Sequence, residues 1–269
     1  KWKEPLMCSY DQILLVEAIY TYVDLTKDYE FLNEEFVMAG SEKKRSLYET
    51  LKAIITYSGK ISIGKHGIPL LDRADWNDCL IIDNNYIDGP TKEKLYYKQL
   101  KTKKQSFGVP FESDYSESVM NGFLLVLAIK RMEKIAIAIN DKDYAKDISI
   151  LRKNLEKSLH KNAFLNGYYA RVLINRKDSK YTYIGSLKDG LSTDEKIDGS
   201  LYLNSLSWSI LSEVATEDEI SSMMKLCDKY LKTPAGYKLC TKHNLKLCGA
   251  TFAATEVYFP GDRENGGIF

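Results

Sequence analysis

Cysteine and histidine are scarce in this chain, and neither is grouped. The five cysteines (Cys8, Cys79, Cys227, Cys240 and Cys248) are odd in number, widely spaced and without a CxxC pair. That argues against a disulfide framework and for reduced thiols. The three histidines, His66, His160 and His243, lie far apart, and there is no HExxH. A zinc site is therefore not expected. The Asp72–Asp78 spacing lacks the glycine and closing glutamate of an EF-hand, so calcium is not expected either. Excess charge of one sign is also missing. With 38 basic and 37 acidic side chains the net charge is +1, and no basic block suggests nucleic acid. The longest apolar run, Val119 to Ile129, is broken by Asn121 and Gly122 and closed by Lys130-Arg131, too short to span a bilayer. The first residues do not read as a signal peptide. The chain begins without Met and reads as a piece of something longer.

What is present is a core-forming soluble composition, 44% apolar and 28% charged over 269 residues. The most unusual stretch is Leu71-Asp72-Arg73-Ala74-Asp75-Trp76-Asn77-Asp78-Cys79-Leu80. Its carboxylates recur every third residue, so a helical turn or tight loop would put them on one side. A tryptophan among acids and amides suits a sugar. The indole covers the apolar face of a pyranose while carboxylates and amides bond its hydroxyls. An acid of raised pKa could protonate a glycosidic oxygen. An acidic surface loop with a half-buried tryptophan is the plain alternative.

Apolar periodicity predicts a helix over 9–26 with almost no polar face, hence buried, and an amphipathic helix over 42–58. Regular structure thins between Gly59 and Pro110. A largely apolar helix is expected over 115–140. An amphipathic one follows Asn140-Asp141, where Tyr144, Ile148, Leu151, Leu155 and Leu159 mark the stripe. Residues 167–173 read as a strand or extended loop. A mostly apolar helix is predicted over 201–214, and Thr216-x-x-Glu219 is a capping box opening the next. Residues 245–258 fit helix or buried extended chain equally. A buried helix followed by an amphipathic one, three times over, predicts an inner row of helices wrapped by an outer row. No repeat of fixed period supports a solenoid.

Several islands of sequence then resemble one family. Ala74-Asp75-Trp76-Asn77-Asp78 resembles the Asp-Trp-Asn-Asp signature of the inverting glycoside phosphorylases, the cellobiose and chitobiose phosphorylase family (glycoside hydrolase family 94). Ser116-Glu117-Ser118-Val119 is similar to its Gly-Glu-Ser-Val. Tyr169-Ala170-Arg171 with Gly185-Ser186 is similar to its Tyr-x-Arg and Gly-Ser. Leu203-Asn204-Ser205-Leu206-Ser207-Trp208 resembles its Leu-Asn-x-Gln-Ser-Trp. Pro260 to Gly267 resembles its Pro-Gly-x-Arg-Glu-Asn-Gly-Gly, and Ser9-Tyr10-Asp11 its Ser-Asp-Asp. The matches are collinear.

The resemblance implies an all-α fold, part of an (α/α)6 barrel. Residues 1–269 would be one domain, with a β-sandwich and further barrel helices lying outside this chain. It implies inverting phosphorolysis of a β-linked gluco-oligosaccharide or β-glucan to α-glucose 1-phosphate. Asp78 would be the general acid and inorganic phosphate the nucleophile. Asp11, Asp75, Trp76, Asn77, Glu264 and Asn265 would bind substrate. No organic cofactor or metal is implied. The partners would be the oligosaccharide and phosphate, with neither nucleic acid nor membrane, and family members often form homodimers. The phosphate-binding residues would lie beyond Phe269, and the location would be cytoplasmic. Arg171 and Glu117 are expected in internal ion pairs or caps, Arg263 in a pair, and Trp208 in the core. Tyr10, Leu206 and Cys79 depart from the family pattern, which suggests a branch acting on β-1,3 or β-1,2 linkages. Two rivals remain. One is an inverting hydrolase, which needs a second carboxylate to activate water. The other is a sugar-binding domain without catalysis.

Overall fold

The computed structural model describes residues 9–37, 42–71, 75–77, 80–82, 116–175, 179–248, 252–253 and 258–268. Its helices are α1 (Ser9–Thr26), α2 (Leu47–Thr56), α3 (Val119–Ala138), α4 (Lys142–Ser158), α5 (Leu203–Leu211) and α6 (Glu217–Tyr230). Helix α3 packs between α1 and α5, forming one row. Helices α2, α4 and α6 lie against α1, α3 and α5 respectively and form a second row. The expected alternation of apolar and amphipathic helices is thus two layers.

Local chemistry sets the helix boundaries. The Ser118 hydroxyl accepts the Asn121 N–H at 3.1 Å to open α3. Asp141 accepts the Tyr144 N–H at 3.3 Å to open α4. Between them Asn140 takes φ +66°, a left-handed conformation that asparagine tolerates. The short turn makes α3 and α4 antiparallel neighbours. Thr216 and Glu219 form the full capping box of α6. Each such cap is worth about 1 kcal/mol. Helix α2 starts later than periodicity predicts. Residues Lys44–Ser46 pair as a strand with Glu35–Val37, and Ser46 then caps the helix by accepting the Glu49 N–H.

Helix α3 is buried nearly all round, from Val119 and Met120 through Phe123–Val126 to Met132 and Ala136. Helix α1 corrects its prediction. Ile13, Val16 and Val23 are buried, but Leu15, Tyr22 and Leu25 are exposed, Leu25 at 78%. In the inner row α1 packs on α3, and Tyr10 at its start reaches Trp208 of α5.

Short strands gather at the end where α3 begins. Ser116–Ser118 pairs antiparallel with Val172–Ile174, which pairs with Tyr183–Ile184. Residues 69–71 extend this sheet, through a bridge from Leu70 to Glu117 and hydrogen bonds from Leu71 N–H to Ser116 O and from Ser118 N–H to Pro69 O. Beneath lies a second, smaller core of Leu71, Leu80, Val172, Ile184, Tyr202 and Leu245 with their neighbours. This sheet, laid across the start of α3, positions the site.

Candidate active site at the start of the inner helices

The acidic stretch is anchored by Asp75. Its side chain is fully buried, and every bond it makes is a donor aimed at a carboxylate. Arg171 Nη2 donates to Oδ1 at 2.6 Å while Nη1 donates to Oδ2. Ser118 Oγ donates to Oδ2 at 2.6 Å, and the Asn77 N–H to Oδ1 at 3.0 Å. Burial alone would push this carboxyl up. The adjacent Arg171 charge and the bonds from Arg171, Ser118 and Asn77 outweigh it and hold Asp75 below the usual carboxylate range. Residues 75 and 76 form a bend rather than a helical turn, with Asn77 buried and Trp76 half-buried. The Leu80 N–H returns to Asn77 O at 2.9 Å. Asp78, the expected acid, lies outside the described residues, as do Asp72, Arg73 and Cys79.

Arg171 is equally buried, and the chain bends tightly to make room for it. Gly185 sits at φ +92°, and a Cβ there would stand 2.5 Å from Arg171 Cβ. Only glycine fits both the angle and the contact. The Arg171 N–H donates to Ile184 O, so the two halves of the Tyr-x-Arg and Gly-Ser motif meet in space. The internal pair expected of Arg171 is present, and its partner is Asp75, 96 residues away.

Glu117, one residue before Ser118, faces a different set of partners. Its Oε1 accepts the His66 N–H at 2.9 Å and the Ile68 N–H at 3.3 Å. Its Oε2 lies 2.7 Å from His66 Nδ1 and accepts from Asn175 Nδ2 at 2.7 Å. A Cβ on Gly64 would collide with this side chain. Glu117 is therefore in the expected internal pair, with His66.

The helix starts converge here. Asp11 is exposed in the first turn of α1. Tyr10 beside it meets Trp208 of α5 edge to face, with ring centroids 6.1 Å apart. The Tyr10 phenol is pushed up by burial and by the charges of Asp11 and Asp75. Trp208 is half-buried against the main core.

The Pro260–Gly267 loop reaches the same region from the far end of the chain. The Leu239 N–H donates to Gly267 O, and Cys240 Sγ approaches Glu264 O at 3.9 Å. The loop closes on itself through Gly261 N–H to Asn265 O and Gly267 N–H to Arg263 O. The Asn265 amide donates to Tyr258 O at 2.9 Å, so part of its hydrogen-bonding capacity holds the loop. Arg263 lies 3.5 Å from Glu264 and over the Tyr258 ring. Glu264 Oε2, the oxygen that Arg263 approaches, is buried and makes no hydrogen bond among the described residues.

Sequence reasoning passed over two buried residues that join these parts. Tyr202 lies against Arg171, and its hydroxyl meets His243 Nε2 at 2.8 Å. A tyrosine just before α5 and an isolated histidine carry no spacing signal. Among the described residues no cluster of His, Cys, Asp or Glu could hold a metal ion, and no helix is long and apolar enough to cross a membrane.

Comparison with known proteins places the chain in one family. The family model "Glycosyl hydrolase 94 superfamily, catalytic domain" matches residues 5–269. The chain is similar to a solabiose phosphorylase of Paenibacillus borealis, at 24% identity over 98% of this chain and 29% of the relative. It is similar to a 3-O-beta-D-glucopyranosyl-beta-D-glucuronide phosphorylase of the same organism, at 22% over 89% of this chain and 27% of the relative. It also resembles an N,N'-diacetylchitobiose phosphorylase of Vibrio proteolyticus, at 25% over 97% of this chain and 27% of the relative. The chain thus spans under a third of the length of these relatives. Its two helix rows are those of an (α/α)6 barrel. With its collinear motifs assembled around one buried ion pair, the chain belongs to the glycosyl hydrolase 94 superfamily and carries part of that family's catalytic domain.

Proposed function

We propose that this chain is part of an inverting glycoside phosphorylase acting on a β-linked oligosaccharide. Asp78 protonates the departing glycosidic oxygen. Inorganic phosphate attacks the anomeric carbon from the opposite face, and the product is an α-sugar 1-phosphate. Phosphate is already an anion, so no general base is needed. Asp11, Trp76, Asn77, Glu264 and Asn265 contact the sugar. Asp75, expected to bind substrate, is instead buried and bonded on both oxygens, and it holds the stretch in place. No organic cofactor or metal takes part, and the reaction belongs in the cytoplasm, where phosphate and sugar phosphates are retained.

The observation that carries this reading is the Asp75–Arg171 pair three residues before Asp78. An inverting hydrolase needs a second carboxylate free to activate water, about 6.5–9.5 Å from the acid. Asp75 is saturated on both oxygens by Arg171, Ser118 and Asn77. Glu117 is saturated by His66, Ile68 and Asn175. Neither is available as a base, so among the described acids at this end a hydrolase would have to turn to Asp11 or Glu264. The pairing has a second consequence. Arg171 cancels the Asp75 charge, so Asp75 does little to raise the pKa of Asp78. The acid must then be kept protonated by desolvation or by another like-charged neighbour such as Asp72.

The test uses the full-length protein. It is incubated with β-1,2-, β-1,3- and β-1,4-linked gluco-oligosaccharides, with and without phosphate. The relatives' named substrates solabiose, diacetylchitobiose and the glucosyl glucuronide complete the panel. Phosphate-dependent α-sugar 1-phosphate that disappears in Asp78→Asn is expected, and the active sugar names the linkage. Free sugar released without phosphate would instead establish a hydrolase. Binding without product from any sugar would point to a domain that holds carbohydrate only.

A further inference from the structure

The acid-bearing stretch and the Glu264–Gly267 loop do not touch each other in any described contact, yet both rest on one buried chain of side chains. Arg171 spends its two terminal nitrogens on Asp75. Its Nε is buried and makes no hydrogen bond among the described residues, so the guanidinium is located by Asp75 and by the Tyr202 ring, whose centroid is 6.0 Å from Cζ. Tyr202 is fully buried and fixed from three directions. Its carbonyl accepts the Tyr168 hydroxyl at 2.8 Å, its backbone bridges to Cys240, and its hydroxyl meets His243 Nε2 at 2.8 Å. His243 Nδ1 lies 2.7 Å from the Thr241 carbonyl. A carbonyl only accepts, so Nδ1 carries the proton and Nε2 must accept from the Tyr202 hydroxyl. Burial pushes the His243 imidazole down, which keeps this neutral form. The same segment seats the substrate loop. Leu239 bonds Gly267 O, and a Cβ on Gly266 would press within 3.0 Å of Cys240 O.

We infer that Tyr202 and His243 are positioning residues that set the Asp75–Asn77 stretch in register with the Glu264–Gly267 loop, without touching the sugar themselves. The hydroxyl–imidazole bond fixes where the Tyr202 ring stands. The ring fixes the one side of Arg171 that Asp75 does not hold. Arg171 then fixes the residues leading into Asp78. The catalytic consequence rests on the phosphorolysis proposed above, while the mechanical consequence does not.

The test is Tyr202→Phe in the full-length protein, with His243→Gln as the conservative partner. Phenylalanine keeps the ring against Arg171 and deletes only the hydroxyl. In His243→Gln the new side-chain amide oxygen can still accept from Tyr202. Two readouts are taken. Amide hydrogen exchange is followed in a peptide covering 75–82 and in α3, and kcat and KM are followed with the best sugar. Exchange in 75–82 should quicken about tenfold in Tyr202→Phe, with α3 protection unchanged. The value of kcat should fall about tenfold with KM within about twofold, as displacement of a reacting group demands. His243→Gln, by contrast, should keep both within about threefold of wild type. Unchanged exchange in 75–82 overturns the inference whatever the kinetics. If Tyr202→Phe loosens α3 as well, His243→Gln decides: wild-type exchange there supports the inference, and loosened α3 there too reduces the pair to ordinary core. A wild-type protein giving no sugar phosphate defeats the proposed function, and the exchange comparison still stands.

Discussion

Glu117 and Ser118 are neighbours on one short strand, and they serve two buried carboxylates in opposite ways. Ser118 donates to Asp75, whose main partner is an arginine. Glu117 is itself the carboxylate, and its main partner is a histidine with a quarter of its side chain exposed. Arginine cannot lose its proton in a protein, so the Asp75 pair is charged whenever the aspartate is. The Glu117 cluster adds two backbone N–H groups and the Asn175 amide to its His66 partner. One side of the strand is locked by charge and the other by the number of its donors. The signature stretch is tied to the locked side.

Breaking the locked side should cost most. Arg171→Met leaves Asp75 buried without its counter-ion and should lower stability by about 3–5 kcal/mol in chemical denaturation. The double variant Asp75→Asn/Arg171→Met should recover a good part of that loss. If the double variant is as unstable as the two single changes added together, the pair is not the unit described here. Acid offers the same comparison without mutation. Asp75 has a folded pKa below its unfolded value of about 3.9. The stability it contributes is therefore fully present above that unfolded value and is lost as pH falls through the folded one. The stability gap between wild type and the double variant should be flat from pH 7 to about pH 5 and narrow below about pH 4. A gap that narrows at neutral pH would contradict the arginine lock. On the other side of the strand, Glu117→Gln should cost about 1–3 kcal/mol, since the new amide turns a donor toward groups that also donate. His66→Gln should cost least, about 1 kcal/mol or less. The remaining donors still hold Glu117, and the thermal midpoint measures the difference.

Periodicity was a good guide to which helices exist and a poor one to what covers them. Helices α1 and α3 are similarly apolar, yet α3 is enclosed from Val119 to Val126 while Leu15, Tyr22 and Leu25 of α1 face outward. An apolar face records what a residue is suited to meet, and among the described residues that neighbour is supplied for most of α3 and for only part of α1. The Thr216–Glu219 box was legible because both partners lie within one turn. The Asp75–Arg171 pair joins residues 96 positions apart, and no local rule reaches that far. Only the collinear family motifs flagged both members, and even they did not say the two would meet. Tyr202 and His243 escaped notice because a buried tyrosine and a lone histidine look like any core pair until their partners are in view. The start of α2 was misplaced because the Lys44–Ser46 strand pairing claims residues that carry helical spacing.

The Ser118 hydroxyl accepts from Asn121 to begin α3 and donates to Asp75 at the same time. Residues 69–71 are meanwhile stitched edge-on to the strand that leads into that helix. The stretch bearing the signature is therefore not a detachable module. An engineer who exchanges residues 62–82 for those of a relative, hoping to import a new sugar preference, would import a mismatched seam unless the 116–118 strand, Arg171 and the first turn of α3 travelled with it.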